Sequence, residues 1–321
     1  MQEHRQEINA LYYGLLSLSV YRRVTEQPVT GAVTALVKAA AVGDKAALCS
    51  CCGTLCATLA AAGRLDSLTS AMAEEVLADD NAYSELLSSG EQPPERLQQA
   101  AVRDLGVLYK AATLCREDIA AGLDTYVAAV LPGWGTDPAP APMDQPWDRQ
   151  PEALADYHAR HGCGRFAKHI AFLWRDGALL PVEHPDPIRL SNLKGYEYQR
   201  RIAIDNTLAF LNGFEANNML LYGDRGTGKS STVKALLNEY APGGLRMIEM
   251  PKEYLRQLPD LTGYLAGLPM KFIIFIDDLS FSGNDDSFAA LKAVLEGGLA
   301  SRPDNVIIYA TSNRRHLLRE T

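Results

Sequence analysis

A chain of 321 residues is long enough for one large domain or two ordinary ones, each with a real core. With 47% apolar and 22% charged residues the composition is that of a soluble globular protein, which excludes wholesale disorder, and no apolar stretch reaches bilayer-spanning length. The net charge of −8 arises mainly before Leu180, and an acidic front half argues against that half being a general nucleic-acid binder, because phosphate contact needs clustered Lys and Arg.

The N-terminus has an apolar middle but carries Glu3 and Glu7 and lacks a small-residue cleavage pattern. It reads as an amphipathic helix rather than a signal peptide, which places the chain in the cytoplasm. From residue 6 to about 130 every informative segment reads as helix, with apolar positions recurring as in Leu97, Ala101, Leu105, Leu108 and Tyr109. Breaks fall at Gln27-Pro28, Gly43-Asp44 and Pro93-Pro94. The acidic pairs Glu74-Glu75 and Asp79-Asp80 read as solvated helix ends. Cys49, Cys51, Cys52 and Cys56 sit in an Ala/Leu-rich context without neighbouring histidine, which favours small buried thiols over a metal site. Residues 1–130 are thus expected to form a helical N-terminal domain with no motif that carries chemistry.

Residues 131–150, LPGWGTDPAPAPMDQPWDRQ, read as a Pro-rich linker in which Trp134 and Trp147 dock on a neighbouring surface. A short helix over 151–160 follows. A hairpin is expected next, with strands 170–175 and 178–182 around Asp176-Gly177, a favoured two-residue turn. His158, His161 and Cys163 lie close in sequence but lack a fourth ligand, so structural roles outweigh a metal site. A helix over 196–210 comes next. Just before it, Leu193 and Gly195 are candidates either for contact with a nucleotide base or for packing on the sheet.

The stretch 220–234, LLYGDRGTGKSSTVK, organises the remainder. An apolar strand over 219–222 runs into Gly223, Asp224, Arg225, Gly226, Thr227, Gly228, Lys229 and Ser230, the G-x-x-x-x-G-K-[ST] phosphate-loop pattern, and a helix opens at Lys229 and Ser231. Glycines let successive N–H groups point inward at phosphate oxygens, and the helix adds its free N–H groups and positive dipole end. Lys229 is placed for the β/γ-phosphates and the Ser230 hydroxyl for Mg²⁺.

A strand over 245–250 and a helix interrupted near Pro259 lead to KFIIFIDDLSF, whose strand over 272–276 closes on Asp277 and Asp278. A run apolar on both faces suits a central parallel strand, and carboxylates at its C-terminal end lie where open α/β sheets bind ligands. Asp277 is assigned to the Mg²⁺ shell and Asp278 to the attacking water. Residues 286–299 read as helix. The strand 305–310 ends in Thr311, Ser312 and Asn313, of which Asn313 is the first candidate and Thr311 the second for reaching the water or γ-phosphate. Arg314, Arg315 and Arg319 read as exposed, with phosphate or partner contact as alternatives.

The blocks GDRGTGKSS, FIIFIDDLSF, LKAVLEGGL and IIYATSNRRHL resemble the Walker A, Walker B, following-helix and sensor 1 blocks of the AAA+ superfamily. More narrowly they resemble a bacterial family of AAA+ ATP-binding proteins classed as a domain of unknown function, number 815. The resemblance implies an α/β fold over 151–321, a P-loop parallel sheet with flanking helices, with ATP as nucleotide, Mg²⁺ as metal and homo-oligomer formation through the ATPase domain. AAA+ sheets have the strand order 5-1-4-3-2 and continue past sensor 1 into an arginine finger, a fifth strand and a helical lid. Here the chain stops at Thr321, so the ATPase domain is expected to be incomplete at its C-terminus, with an open edge beside its first strand. A missing finger can cost on the order of 10³–10⁵ in turnover. The leading expectation is a Mg²⁺-dependent ATPase (ATP and water to ADP and phosphate) that drives a conformational change in an unidentified protein client. The alternative is a nucleotide-gated loader or adaptor with little turnover. A kinase or GTPase ranks third, since no N-K-x-D signature is present. A nucleic-acid remodeller rests on fold analogy alone.

Overall fold

The computed structural model describes residues 2–121, 123–279 and 303–313. They fall into two compact units, Met1–His158 and Ala159–Thr321.

The first unit is helical: α1 (Gln2–Leu16), α2 (Pro28–Val42), α3 (Lys45–Ala61), α4 (Leu68–Leu77), α5 (Ala82–Ser89), α6 (Glu95–Ala112), α7 (Arg116–Ala120) and α8 (Thr125–Val130). The sequence breaks are its caps. Pro28 opens α2, where a missing N–H costs nothing, and Gly43 ends it in the left-handed conformation. Asp44 then accepts from the Ala47 N–H to start α3. Val33, Leu36 and Val37 of α2, Leu55 and Leu59 of α3, Met72 and Val76 of α4 and Leu105 and Leu108 of α6 fill one core. On α3, Cys52 is buried among the other thiols, and burial pushes its thiol up to about 12.

Three acids do more than a helical pattern shows. Glu75, expected to be a solvated helix end, caps α2. Its carboxylate accepts from the N–H groups of Val29 (2.8 Å) and Thr30 (2.9 Å) and from the Thr30 hydroxyl (2.7 Å). The first-turn donors of a buried helix end need an acceptor, and this one comes from 46 residues away. Asp79, expected to be solvated as well, is buried and accepts from the Asn81 side chain. Asp104, fully buried on α6, accepts from the N–H groups of Ser19, Val20 and Tyr21 and so fixes the turn after α1.

Residues 131–150, which read as a linker in the sequence, bury both indoles against the helical core. Trp134 Nε1 donates to the Leu114 carbonyl (2.9 Å), and Trp147, edge-on to Tyr109, donates to the Met143 carbonyl (3.1 Å). A Pro-rich segment has little chain entropy left to lose, and two indoles supply the apolar area that holds it. The division between the units falls within the next helix, α9 (Pro151–His161).

The second unit continues through α10 (Gly164–Lys168), β1 (Ala171–Arg175), β2 (Ala178–Pro181), α11 (Glu197–Leu211), β3 (Met219–Tyr222), α12 (Lys229–Tyr240), β4 (Leu245–Glu249), α13 (Leu258–Leu265), β5 (Lys271–Ile276) and β6 (Val306–Ser312). The six strands form one mixed sheet in the order β2-β1-β4-β5-β6-β3, parallel at every pair except the β1–β2 hairpin. Counted from β3 and setting the hairpin aside, the strands β3, β6, β5 and β4 run first, fourth, third, second, four successive places of the 5-1-4-3-2 order expected from the sequence. The hairpin extends the far edge beyond β4, an arrangement its own residues did not reveal. Among the described residues β3 pairs on one side only, and Leu220 and Tyr222 are exposed.

Helices cover both faces. Along β5, Phe272, Ile274 and Ile276 pack with Leu258, Leu261 and Leu265 of α13, while Ile273 and Phe275 pack with Phe210 of α11 and Val233 and Leu236 of α12. This alternation explains the unbroken apolar run, since a strand covered on both faces needs no polar side. Each fully buried side chain of this kind contributes roughly 1.5–3 kcal/mol. The helix expected over 286–299, with Arg314, Arg315 and Arg319, lies outside the described residues.

Candidate functional site

The C-terminal ends of β3, β6 and β5 lie side by side, so whatever follows each strand meets the others. After β3 the chain turns through 223–228 and enters α12 at Lys229. Gly226 and Gly228 both adopt φ +79, the left-handed region that a side chain would strain. That curl carries the loop into the N-terminus of α12, whose first-turn N–H groups lack helical partners. Arg225, Gly226, Gly228, Lys229, Ser230 and Ser231 line a cavity of about 320 Å³ together with Asp277, Asp278, Thr311 and Asn313. Gly223, Asp224 and Thr227 form the rear of the loop. The Thr227 hydroxyl donates to the Asp224 carbonyl at 2.9 Å, and the Gly223 N–H donates to the Ser312 carbonyl at 3.2 Å.

The Lys229 ammonium donates to the carbonyls of Gly223 (2.9 Å) and Asp224 (2.7 Å) and to Oδ1 of Asn313 (3.2 Å). The other end of the Asn313 amide donates to Oδ1 of Asp278 at 2.6 Å. One side-chain amide therefore joins the loop cation to the second acid. The Ser230 hydroxyl donates to Oδ1 of Asp277 at 2.6 Å. The same oxygen accepts from the Thr311 hydroxyl and from the Asp278 N–H.

The sequence-predicted residues Lys229, Ser230, Asp277, Asp278 and Asn313 thus converge on one cavity, although 84 residues separate Lys229 from Asn313. Asp278 stands at φ +50, a conformation that Asp tolerates better than most residues because its short polar side chain bonds locally. Thr311, the second candidate for reaching the nucleotide, is buried, and its hydroxyl bonds to Asp277. Leu193 and Gly195 do not line this cavity. Tyr196, at φ +57, lines a separate space of about 490 Å³ between α11, β3 and the rear of the loop, with Gln199, Arg200 and Tyr222.

The donor set fits a hydrated Mg²⁺ held with phosphates, because that ion takes one or two protein oxygens and fills the rest of its shell with water and phosphate. Ser230 and Asp277, joined by a hydrogen bond, are such a pair. Among the described residues no group of three or more His, Cys, Asp or Glu side chains is arranged to hold a metal. No helix among them is long and apolar enough to cross a membrane.

Residues 167–321 match the model of a family described as "Protein of unknown function (DUF815)". A comparison with curated protein sequences returned no match. Among solved structures, the chain is similar to AMPPCP-bound DnaA from Aquifex aeolicus, at 22% identity over 40% of this chain and 43% of that one, with a TM-score of 0.30. It is also similar to PCH-2 of C. elegans, at 21% identity over 39% of each chain with a TM-score of 0.31. The third, the RuvB Holliday junction branch migration motor of Thermotoga maritima, shares 18% identity over 42% of this chain and 44% of that one, with a TM-score of 0.31. The match spans less than half the length of each of these proteins.

Proposed function

We propose that the β-sheet unit binds ATP with Mg²⁺ and hydrolyses it, and that this cycle changes the conformation of a protein partner. One observation carries the reading. The loop cation Lys229, the hydroxyl–carboxylate pair Ser230–Asp277 and the second acid Asp278 face one cavity at the carboxyl ends of three adjacent strands. Bound there with the nucleotide, Mg²⁺ would neutralise charge on the phosphate oxygens. Ser230 and Asp277 would hold that ion. Lys229 supplies a cation to the phosphates in exchange for its loop carbonyls, and residues 224–231 offer N–H groups to the same oxygens. Asp278 receives a proton from the attacking water, and Asn313 aims it. Assembly of copies through this unit, an unidentified protein client and a cytoplasmic setting belong to the same proposal; the alternative is a nucleotide-gated loader with little turnover.

The test is ATP binding and turnover by the wild-type chain and by Lys229→Ala. Charge-assisted hydrogen bonds are worth roughly 1.5–3 kcal/mol each, so losing two phosphate contacts should weaken binding by about 10²–10⁴. Unchanged affinity in a folded Lys229→Ala protein removes the reading. Turnover that rises more than linearly with protein concentration supports sites completed between copies. Binding without turnover supports the loader.

A further inference from the structure

We propose that Thr311 is a positioning residue for the metal, setting the orientation of both acids without touching nucleotide; this rests on the ATP–Mg²⁺ reading above. Thr311 is 2% exposed, at the end of β6, and its hydroxyl and its backbone carbonyl are both spent on the turn that follows β5. Its hydroxyl donates to Oδ1 of Asp277 and accepts from the Asp278 N–H at 3.0 Å. Its backbone carbonyl accepts from the Leu279 N–H at 2.7 Å. Residues 277–279 are therefore fastened to one threonine at three successive positions.

The consequences follow atom by atom. Oδ1 of Asp277 has three donors: the Ser230 hydroxyl, the Thr311 hydroxyl and the Asp278 N–H. A carboxylate held this way cannot swing about its terminal torsion, so it stays facing Ser230 across the cavity. Asp278 sits at φ +50, a backbone conformation that costs energy unless its surroundings fix it. The Thr311 hydroxyl takes the N–H of that residue, which keeps the Asp278 side chain turned toward Asn313. Without the hydroxyl, the turn loses the partner that selects its left-handed state and the carboxylate loses one of its three anchors. Asp277 and Asp278 are exposed, so their orientation depends on such hydrogen bonds rather than on close packing.

The experiment compares wild type, Thr311→Val, Thr311→Ser and Lys229→Ala. Nucleotide affinity is measured with EDTA and with saturating Mg²⁺, and Mn²⁺ binding in the presence of a slowly hydrolysed ATP analogue is followed by electron paramagnetic resonance. The readout is the factor by which metal tightens nucleotide binding, together with the Mn²⁺ dissociation constant, and neither needs turnover. Loss of a partner outside a metal's own ligands typically costs roughly 10–100-fold in metal affinity, and that loss is expected for Thr311→Val. Thr311→Ser keeps the hydroxyl and should recover to within about threefold of wild type. Wild-type Mn²⁺ affinity in Thr311→Val overturns the proposal. So does a Ser variant as weak as the Val variant, because the methyl group would then be what matters. If Thr311→Val does not fold, Thr311→Cys, with a similar volume and only a weak donor, makes the same comparison against Ser. Unchanged nucleotide affinity in Lys229→Ala would remove the ATP reading itself. Loss in Lys229→Ala with none in Thr311→Val removes only the role of Thr311.

Discussion

Asp278→Asn separates the two acids at the end of β5. The substitution keeps almost everything the structure gives this side chain. Asn tolerates φ +50 as Asp does, its amide oxygen can still accept the 2.6 Å hydrogen bond from Asn313, and the N–H bonded to Asp277 and Thr311 is unchanged. What disappears is a group able to take a proton. General-base catalysis is worth roughly 10²–10⁴ in rate, which is about 2.7–5.4 kcal/mol of barrier. MgATP affinity should stay within about threefold, because Ser230 hydrogen-bonds to Asp277 and not to Asp278. Single-turnover phosphate release with protein in excess gives the rate, and fluorescent-nucleotide titration gives the affinity. A variant that turns over within about tenfold of wild type would refute the assignment. So would one that loses affinity in step with rate, since the two acids would then act on the metal together.

Other consequences lie in the helical unit. Glu75→Ala strips the first turn of α2 of an acceptor for two N–H groups and a hydroxyl. Loss of a helix cap by a charged side chain costs about 2–3 kcal/mol, so the urea midpoint of that unit should fall while the nucleotide affinity of the other stays put. Cys52, pushed up from 9.0 to about 12 by burial, stays a thiol when the unfolded chain would already have lost its proton. The folded state then holds more protons between those two values, so the stability of the helical unit should decline as pH rises through that window. In the native protein at pH 8, an alkylating reagent should modify Cys49, Cys51 and Cys56, which are half-buried, well before Cys52; equal rates would contradict the burial.

The parts of this molecule that sequence reveals are those whose cause is local. Strand, loop and helix over 219–240 each follow from residues within a few positions of one another, and Pro28, Gly43 and Asp44 announce caps in the same way. The apolar run before Asp277 told of a strand covered on both faces because burial on each side leaves no polar alternation. What stayed hidden depends on partners far along the chain. Glu75 looks like any exposed helical acid until α2 delivers its N-terminus, and Asp104 falls on the apolar face that Ala101, Leu105 and Leu108 mark, but the N–H groups it meets lie more than 80 residues earlier in the chain. Residues 131–150 carry the composition of a linker; the docking of Trp134 and Trp147 was legible from the indoles themselves, but the core surface that receives them was not. Thr311 could have been found. A hydroxyl ending a buried strand beside a pair of acids needs a partner, and the acids are the nearest ones.

The order of the strands explains why β6 carries so much of this site. The phosphate loop follows β3 and the two acids follow β5, yet those strands are not neighbours; β6 runs between them. Side chains along its end alternate in direction, so Thr311 and Asn313 leave on one side and Ser312 on the other. Thr311 holds the acids, Asn313 joins Asp278 to Lys229, and the Ser312 carbonyl takes the Gly223 N–H where the loop begins. Apart from the bond between Ser230 and Asp277, these ties pass through three consecutive residues, the last two of β6 and the one after it. On the proposed reading, a phosphate at the loop that displaced Lys229 would be felt first at Asn313, and through it at Asp278. On that reading the end of β6 is where occupancy of the loop would reach the acids, and a one-residue slip in its register would exchange the side chains that hold the two ends together.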